Sequence, residues 1–152
     1  MAGVSHAEFD MASDVNRMLV LAAALSALAA LLHVAVIVGG PDWYRFFGAG
    51  ERMARLAEAR SPVPTLVTLG IALVLGIWAA YAASGAGLIR PLPLTAAALV
   101  AITGVYVLRG LAIVPAATMA SLRTPFNLWS SAICLAIGIV HAVGLWQVWK
   151  RL

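Results

Sequence analysis

Four stretches without a single Asp, Glu, Lys or Arg divide the chain: Met18 to Pro41, Ser61 to Ile89, Pro91 to Leu108 and Thr124 to Trp149. Each reaches the roughly 18 apolar residues that read as a helix crossing a bilayer. About 20 residues, each rising about 1.5 Å, cover a hydrocarbon layer of about 30 Å. Composition points the same way, with 63% of residues hydrophobic, 11% charged and a mean hydropathy of +0.98, well outside the range of soluble domains. The expected fold is all-α, a polytopic transmembrane four-helix bundle with spans at about residues 18–39, 64–84, 92–113 and 127–149. Four helices, their connectors and a short leader use up the 152 residues as a single integral membrane domain, without fixed-period repeats or a flexible linker.

The leader carries Glu8, Asp10 and Asp14 against Arg17, whereas a secretory signal opens with a basic region, so the first helix is expected to be retained. Cys134 is the one cysteine and sits within the last span, which excludes an intramolecular disulfide and favours a small packing residue. The net charge of +4 is spread over helix ends and one connector. That distribution suits lipid headgroups rather than nucleic acid.

Alternation of the spans defines two sides. Side A holds the N-terminus, the 85–91 turn and the C-terminus, with Arg17, Arg90, Lys150 and Arg151; side B holds the 40–63 and 115–125 connectors, with Arg45, Arg52, Arg55, Arg60 and Arg123. Four cations against five nearly tie under the positive-inside rule. Lys150 and Arg151 directly abut the last span, and four of the side B cations share one connector. Both termini are therefore expected in the cytoplasm, in a bacterial inner membrane.

Residues 42–60, DWYRFFGAGERMARLAEAR, form the most patterned segment outside the spans. Trp43, Phe46, Phe47, Gly50, Met53, Ala54 and Ala57 recur at steps of three and four, while Arg45, Glu51, Arg52, Arg55 and Glu58 lie largely away from them. The pattern predicts an amphipathic interfacial helix, capped by Asp42, supported by a Glu51–Arg55 pair and stopped by Ser61-Pro62 and Pro64. Trp43, Tyr44, Phe46 and Phe47 are its expected interfacial anchors. It serves either as an anchor alone or as a lid over whatever opens on side B.

Arg109 stands inside an apolar run, with 18 uncharged residues back to Arg90 and 13 on to Arg123. Arginine at mid-helix costs about 3 kcal/mol on insertion scales, which a long side chain near a span's end escapes by snorkelling to the interface. Counted from side A, His33 lies about 22 Å and Arg109 about 27 Å along their helices. Thr65, Thr68, Tyr106, Asn127, Ser130 and Ser131 fall in the same layer. Arg109, His33, Tyr106, Thr68 and Ser131 are thus candidate ligand-binding residues for a polar or anionic molecule, and snorkelling is the competing explanation of Arg109.

Two intramembrane histidines raise the question of haem. His141 lies about 12 Å from side A, roughly 10 Å in height from His33, whereas the two axial ligands of one haem share a level, so a bis-histidine haem within one chain is disfavoured. No cofactor is predicted. The spans contain no Asp or Glu, as a proton-coupled carrier would need, and the chain has no HExxH, GxSxG, P-loop or metal-ligand cluster. An enzyme is disfavoured.

A short leader, a first span, the aromatic Gly- and Pro-flanked connector GGPDWYRFFGAGERMARL…SPVP and three closely spaced spans together resemble the small DoxX-like bacterial membrane proteins. The resemblance is one of architecture. It implies a four-helix inner-membrane bundle acting as an accessory component of a redox or export system. Three functions follow as expectations: an accessory or scaffolding subunit binding lipid, a membrane protein partner or a second copy through small-residue faces such as Ala22, Ser26 and Ala30; a carrier or receptor for a small amphiphilic or anionic ligand; and a haem or quinone subunit with His33 or His141 paired across a homodimer.

Overall fold

The computed structural model describes residues 15–152, so the acidic leader with His6 lies outside the described residues. Among the described residues there are seven α-helices: α1 Arg17–Gly39, α2 Pro41–Phe46, α3 Glu51–Glu58, α4 Val63–Gly85, α5 Thr95–Leu111, α6 Ile113–Thr118 and α7 Pro125–Val148, with a 3₁₀ turn at Ala120–Leu122. Four segments are long and apolar enough to cross a membrane: α1, α4, the α5–α6 pair and α7. The protein is a multi-pass, all-helical membrane bundle. Lipid offers the backbone no hydrogen-bond partners, and a helix satisfies its own amides.

The helix boundaries have local causes. Asn16 caps α1, its Oδ1 accepting the Leu19 N–H at 2.8 Å, and Thr124 caps α7 in the same manner with Pro125 at the first helical position. Pro115 has no N–H to offer the Leu111 carbonyl four residues back, and α5 ends at Leu111. The third span therefore continues to Thr118 as a broken helix, somewhat beyond the expected end near residue 113.

Span one packs most extensively on span two and span three on span four, and span one closes the bundle against span four. Near side A, Leu19, Leu99 and Val148 are fully buried among Ala22, Ala82 and Ala86. Lipid tails are as apolar as leucine, so close backbone approach and interhelical hydrogen bonds hold such a bundle together. Glycines permit that approach. A Cβ at Gly144 would lie 2.8 Å from the Leu19 side chain, and one at Gly110 would lie 2.6 Å from the Leu135 backbone. The outward faces, with Leu28, Leu31, Leu73 and Leu108, are exposed, as lipid-facing surfaces are.

The 42–60 connector is two short helices rather than the one expected. Phe47 ends α2, Gly48 follows at φ 69°, and the Gly48 and Ala49 amides bond back to the Arg45 and Tyr44 carbonyls. That pattern is the helix stop that left-handed glycine favours. The Phe126 ring at the start of α7 packs on Gly48, leaving no room for a Cβ. The amphipathic part is α3.

Candidate functional site

Polar side chains within the spans mostly bond one another or the backbone. Arg109, in the last turn of α5, donates from Nη1 to Ser131 Oγ at 2.7 Å and from Nη2 to Ser130 Oγ at 2.8 Å. Its charge also faces the negative end of the α5 dipole. Arg109 is thus a link between spans three and four.

Tyr106 sits elsewhere. Its hydroxyl shares a 3.0 Å hydrogen bond with Ser26 on α1, and its ring lies 5.1 Å from both Trp78, edge to face, and His141. The sequence places Tyr106 beside Arg109 and His33 by counting Cα positions. Tyr106 lies three residues, about 4.5 Å, nearer side A than Arg109, and its ring meets Ser26, Trp78 and His141 in the middle of the bundle while Arg109 reaches the serines of α7.

His33, half-buried, donates from Nδ1 to the Ala29 carbonyl at 2.8 Å. Thr68 is buried on α4. Of the five candidate ligand residues, only Arg109 and Ser131 are directly bonded to each other. His141, fully buried, donates from Nδ1 to the Ile137 carbonyl at 3.0 Å, and its Nε2 has no partner among the described residues.

The connector turns the side B end into a structured surface. Arg45 donates to Asp42, Glu51 and Glu58, and Arg55 donates to Glu51 at 3.1 Å, the pair expected from their spacing. Asp42 binds Arg45 instead of capping; Gly40 holds the cap position of α2. Hydrogen bonds from Arg45 and Arg55 hold the Glu51 carboxyl at about 2, below its ordinary 4.5, and Glu51 and then Glu58 raise the Arg45 guanidinium in return. Trp43 lies over Gly39 and stays partly exposed, and Phe46 is exposed. Tyr44 is not. Only 2% exposed, it packs with Val36 and Ala54, and its hydroxyl has no partner among the described residues. Phe47, at the junction, packs against the same cluster. Restarting the helix at Pro41 turns Tyr44 inward between the first span and α3.

Beneath this connector lies a groove of about 360 Å³ between the end of α1, the end of α3 and the start of α4. Ile37 and Leu66 form its apolar walls, and Tyr44, Arg60, Ser61 and Thr65 contribute to the rest. Arg60 reaches it from an unusual backbone. The amides of Arg60 and Ser61 bond the Ala57 and Leu56 carbonyls, and Arg60 stands at φ 57° in the left-handed position that Gly48 and Gly87 fill in the chain's matching helix stops. Sequence counting missed this groove, because neither Arg60 nor Tyr44 departs from an ordinary helix end or aromatic belt in one dimension.

No family model, curated protein or solved structure matches the chain.

Proposed function

We propose that the chain is a non-enzymatic accessory or scaffolding subunit of the bacterial inner membrane that binds lipid or a membrane protein partner, as the DoxX-like architecture implies. The single observation carrying this reading is how the polar groups of the spans are used. Arg109 with Ser130 and Ser131, Ser26 with Tyr106, and Asn16 with Gln147 each join two helices. Such bonds stiffen a frame whose outer apolar faces stay open to lipid or to a neighbouring helix. Purification in mild detergent followed by native mass spectrometry tests it: lipid or a stoichiometric partner is expected on the protein, and a bare monomer in every mild detergent sinks it. Both termini are placed in the cytoplasm on the strength of Lys150 and Arg151, and reporter fusions at the C-terminus test that placement.

The second reading is a receptor or carrier for an amphiphilic or anionic molecule. The side B groove favours it, since apolar walls and a guanidinium meet there.

A further inference from the structure

We infer that the groove between α1, α3 and α4 is a binding site for the headgroup of an anionic phospholipid, with Arg60 as the phosphate-binding residue. The inference rests on the reading of the chain as a lipid-binding membrane protein and adds the site and the lipid class.

Three observations carry it. The groove sits at the side B ends of the first two spans, where headgroups lie, because α1 ends at Gly39 and α4 begins at Val63. Its walls are amphipathic in the matching order. Leu66, in the first turn of α4 and 62% exposed, and Ile37, near the end of α1, form its apolar side with Thr65 beside them, while Arg60 and Ser61, before α4 begins, supply the polar rim. A volume of about 360 Å³ suits a headgroup-sized ligand with its acyl chains left outside along Leu66.

The second observation is charge. Of the connector's cations, Arg45 and Arg55 are engaged by Asp42, Glu51 and Glu58. Arg52 and Arg60 have no ion-pair partner among the described residues, and of the two Arg60 lines the groove. A planar guanidinium matches phosphate oxygens with two parallel donors. The third is the backbone. An arginine holds the left-handed stop of α3, where the chain uses glycine at its matching stops after α2 and α4. An L-residue is disfavoured there, so turn geometry does not account for the arginine.

The last point supplies a variant that is not expected to fail to fold. Arg60→Gly removes the guanidinium and gives the turn the residue it favours. The protein is released from nanodiscs of equal parts phosphatidylglycerol and phosphatidylcholine into native mass spectrometry. Wild type is expected to retain one phosphatidylglycerol. Arg60→Gly is expected to lower that retention about fivefold, the effect of one interfacial cation, with thermal stability in detergent unchanged or raised. Leu66→Trp, which narrows the mouth, is expected to lower retention too, while Arg52→Gln removes an equal charge outside the groove and is expected to leave it intact. Equal retention by wild type, Arg60→Gly and Arg52→Gln overturns the groove as the site and leaves the lipid-binding reading standing. No retained lipid in any variant overturns both the groove and lipid binding, leaving a membrane protein partner as the remaining branch of the proposed function. Displacement of phosphatidylglycerol by millimolar inorganic phosphate overturns a lipid as the occupant.

Discussion

The two ends of the bundle are built on different principles. At side A the spans lock together: Leu19 is buried against Gly144, Leu99 against Gly85, and Asn16 ties three segments, capping α1, donating to Gln147 at 2.8 Å and giving its own N–H to the Ala86 carbonyl. The 85–95 turn is bonded in turn, Ser84 Oγ accepting the Leu92 N–H at 2.9 Å and Thr95 donating to the Leu92 carbonyl at 2.6 Å. At side B spans three and four still meet closely at Gly110 and Leu135, but the third span is broken, the connector makes two helices, and polar groups face a groove. Small residues and satisfied amides close one end. Aromatic and charged side chains line a groove at the other.

The largest expected effect attacks the closed end. Gly144→Val puts atoms where Leu19, fully buried, cannot yield, and overpacking of this kind costs about 2 to 3 kcal/mol. Gly70, on the lipid face with nothing within 4 Å of a Cβ, serves as its counterpart, and Gly70→Ala is expected to be neutral or slightly stabilising. Thermal unfolding in one detergent compares them, and a Gly144→Val protein that melts with the wild type removes the basis for calling side A locked. Asn16→Ala comes next. It deletes a helix cap and an interhelical bond, and about 1 to 2 kcal/mol is expected to go with them. Hydrogen exchange should then rise at both the start of α1 and the end of α4, because the Asn16 backbone joins them; a rise confined to α1 contradicts the triple tie.

Arg109 tests the other end of the comparison. Its two donors reach two different serines, which a guanidinium fork does readily and a single ammonium does poorly. Arg109→Lys is expected to cost about 1 kcal/mol, near the value of one net hydrogen bond. Arg109→Leu removes the cost of inserting a charge but leaves buried Ser131 without its donor, so it is expected to fall short of wild type as well. Equal melting curves for all three proteins would return Arg109 to plain snorkelling.

These residues also mark what could be read in one dimension. The four spans were legible because insertion into lipid demands long charge-free runs, and the structure places them within a few residues of expectation. The Glu51–Arg55 pair was legible because helix spacing alone sets it. Tyr106 and Arg109 share a depth range in one dimension but not their partners, because depth along a helix does not register which neighbouring helix a side chain faces: Tyr106 turns to Ser26 on α1 and Arg109 to Ser131 on α7. The connector was read as one helix because apolar periodicity runs through Gly48 and Gly50, and periodicity does not register the positive φ that bends the chain there. Tyr44 and Arg60 come to line one groove only after that bend. The groove is therefore a property of tertiary structure with no local signature.

The smallest expected effect concerns acid and the connector. Arg45 and Arg55 depress the Glu51 carboxyl from its ordinary 4.5 to about 2. A depressed carboxyl contributes stability above its unfolded value and loses it as pH falls through the folded one, so the latch between α2 and α3 is expected to hold at neutral pH and to loosen between about 4.5 and 2. The groups are solvent-exposed, so the effect is small and shrinks further in salt. Fluorine-labelled tryptophan spectra can follow it, with Trp43 assigned by Trp43→Phe. Its resonance is expected to move only within that acid window, and Glu51→Gln to abolish the movement, while Trp146 at side A stays still. A Trp43 shift centred above pH 5 would assign the titration to another group, and synchronous movement of Trp43 and Trp146 would mean that the two ends of the bundle do not respond separately after all.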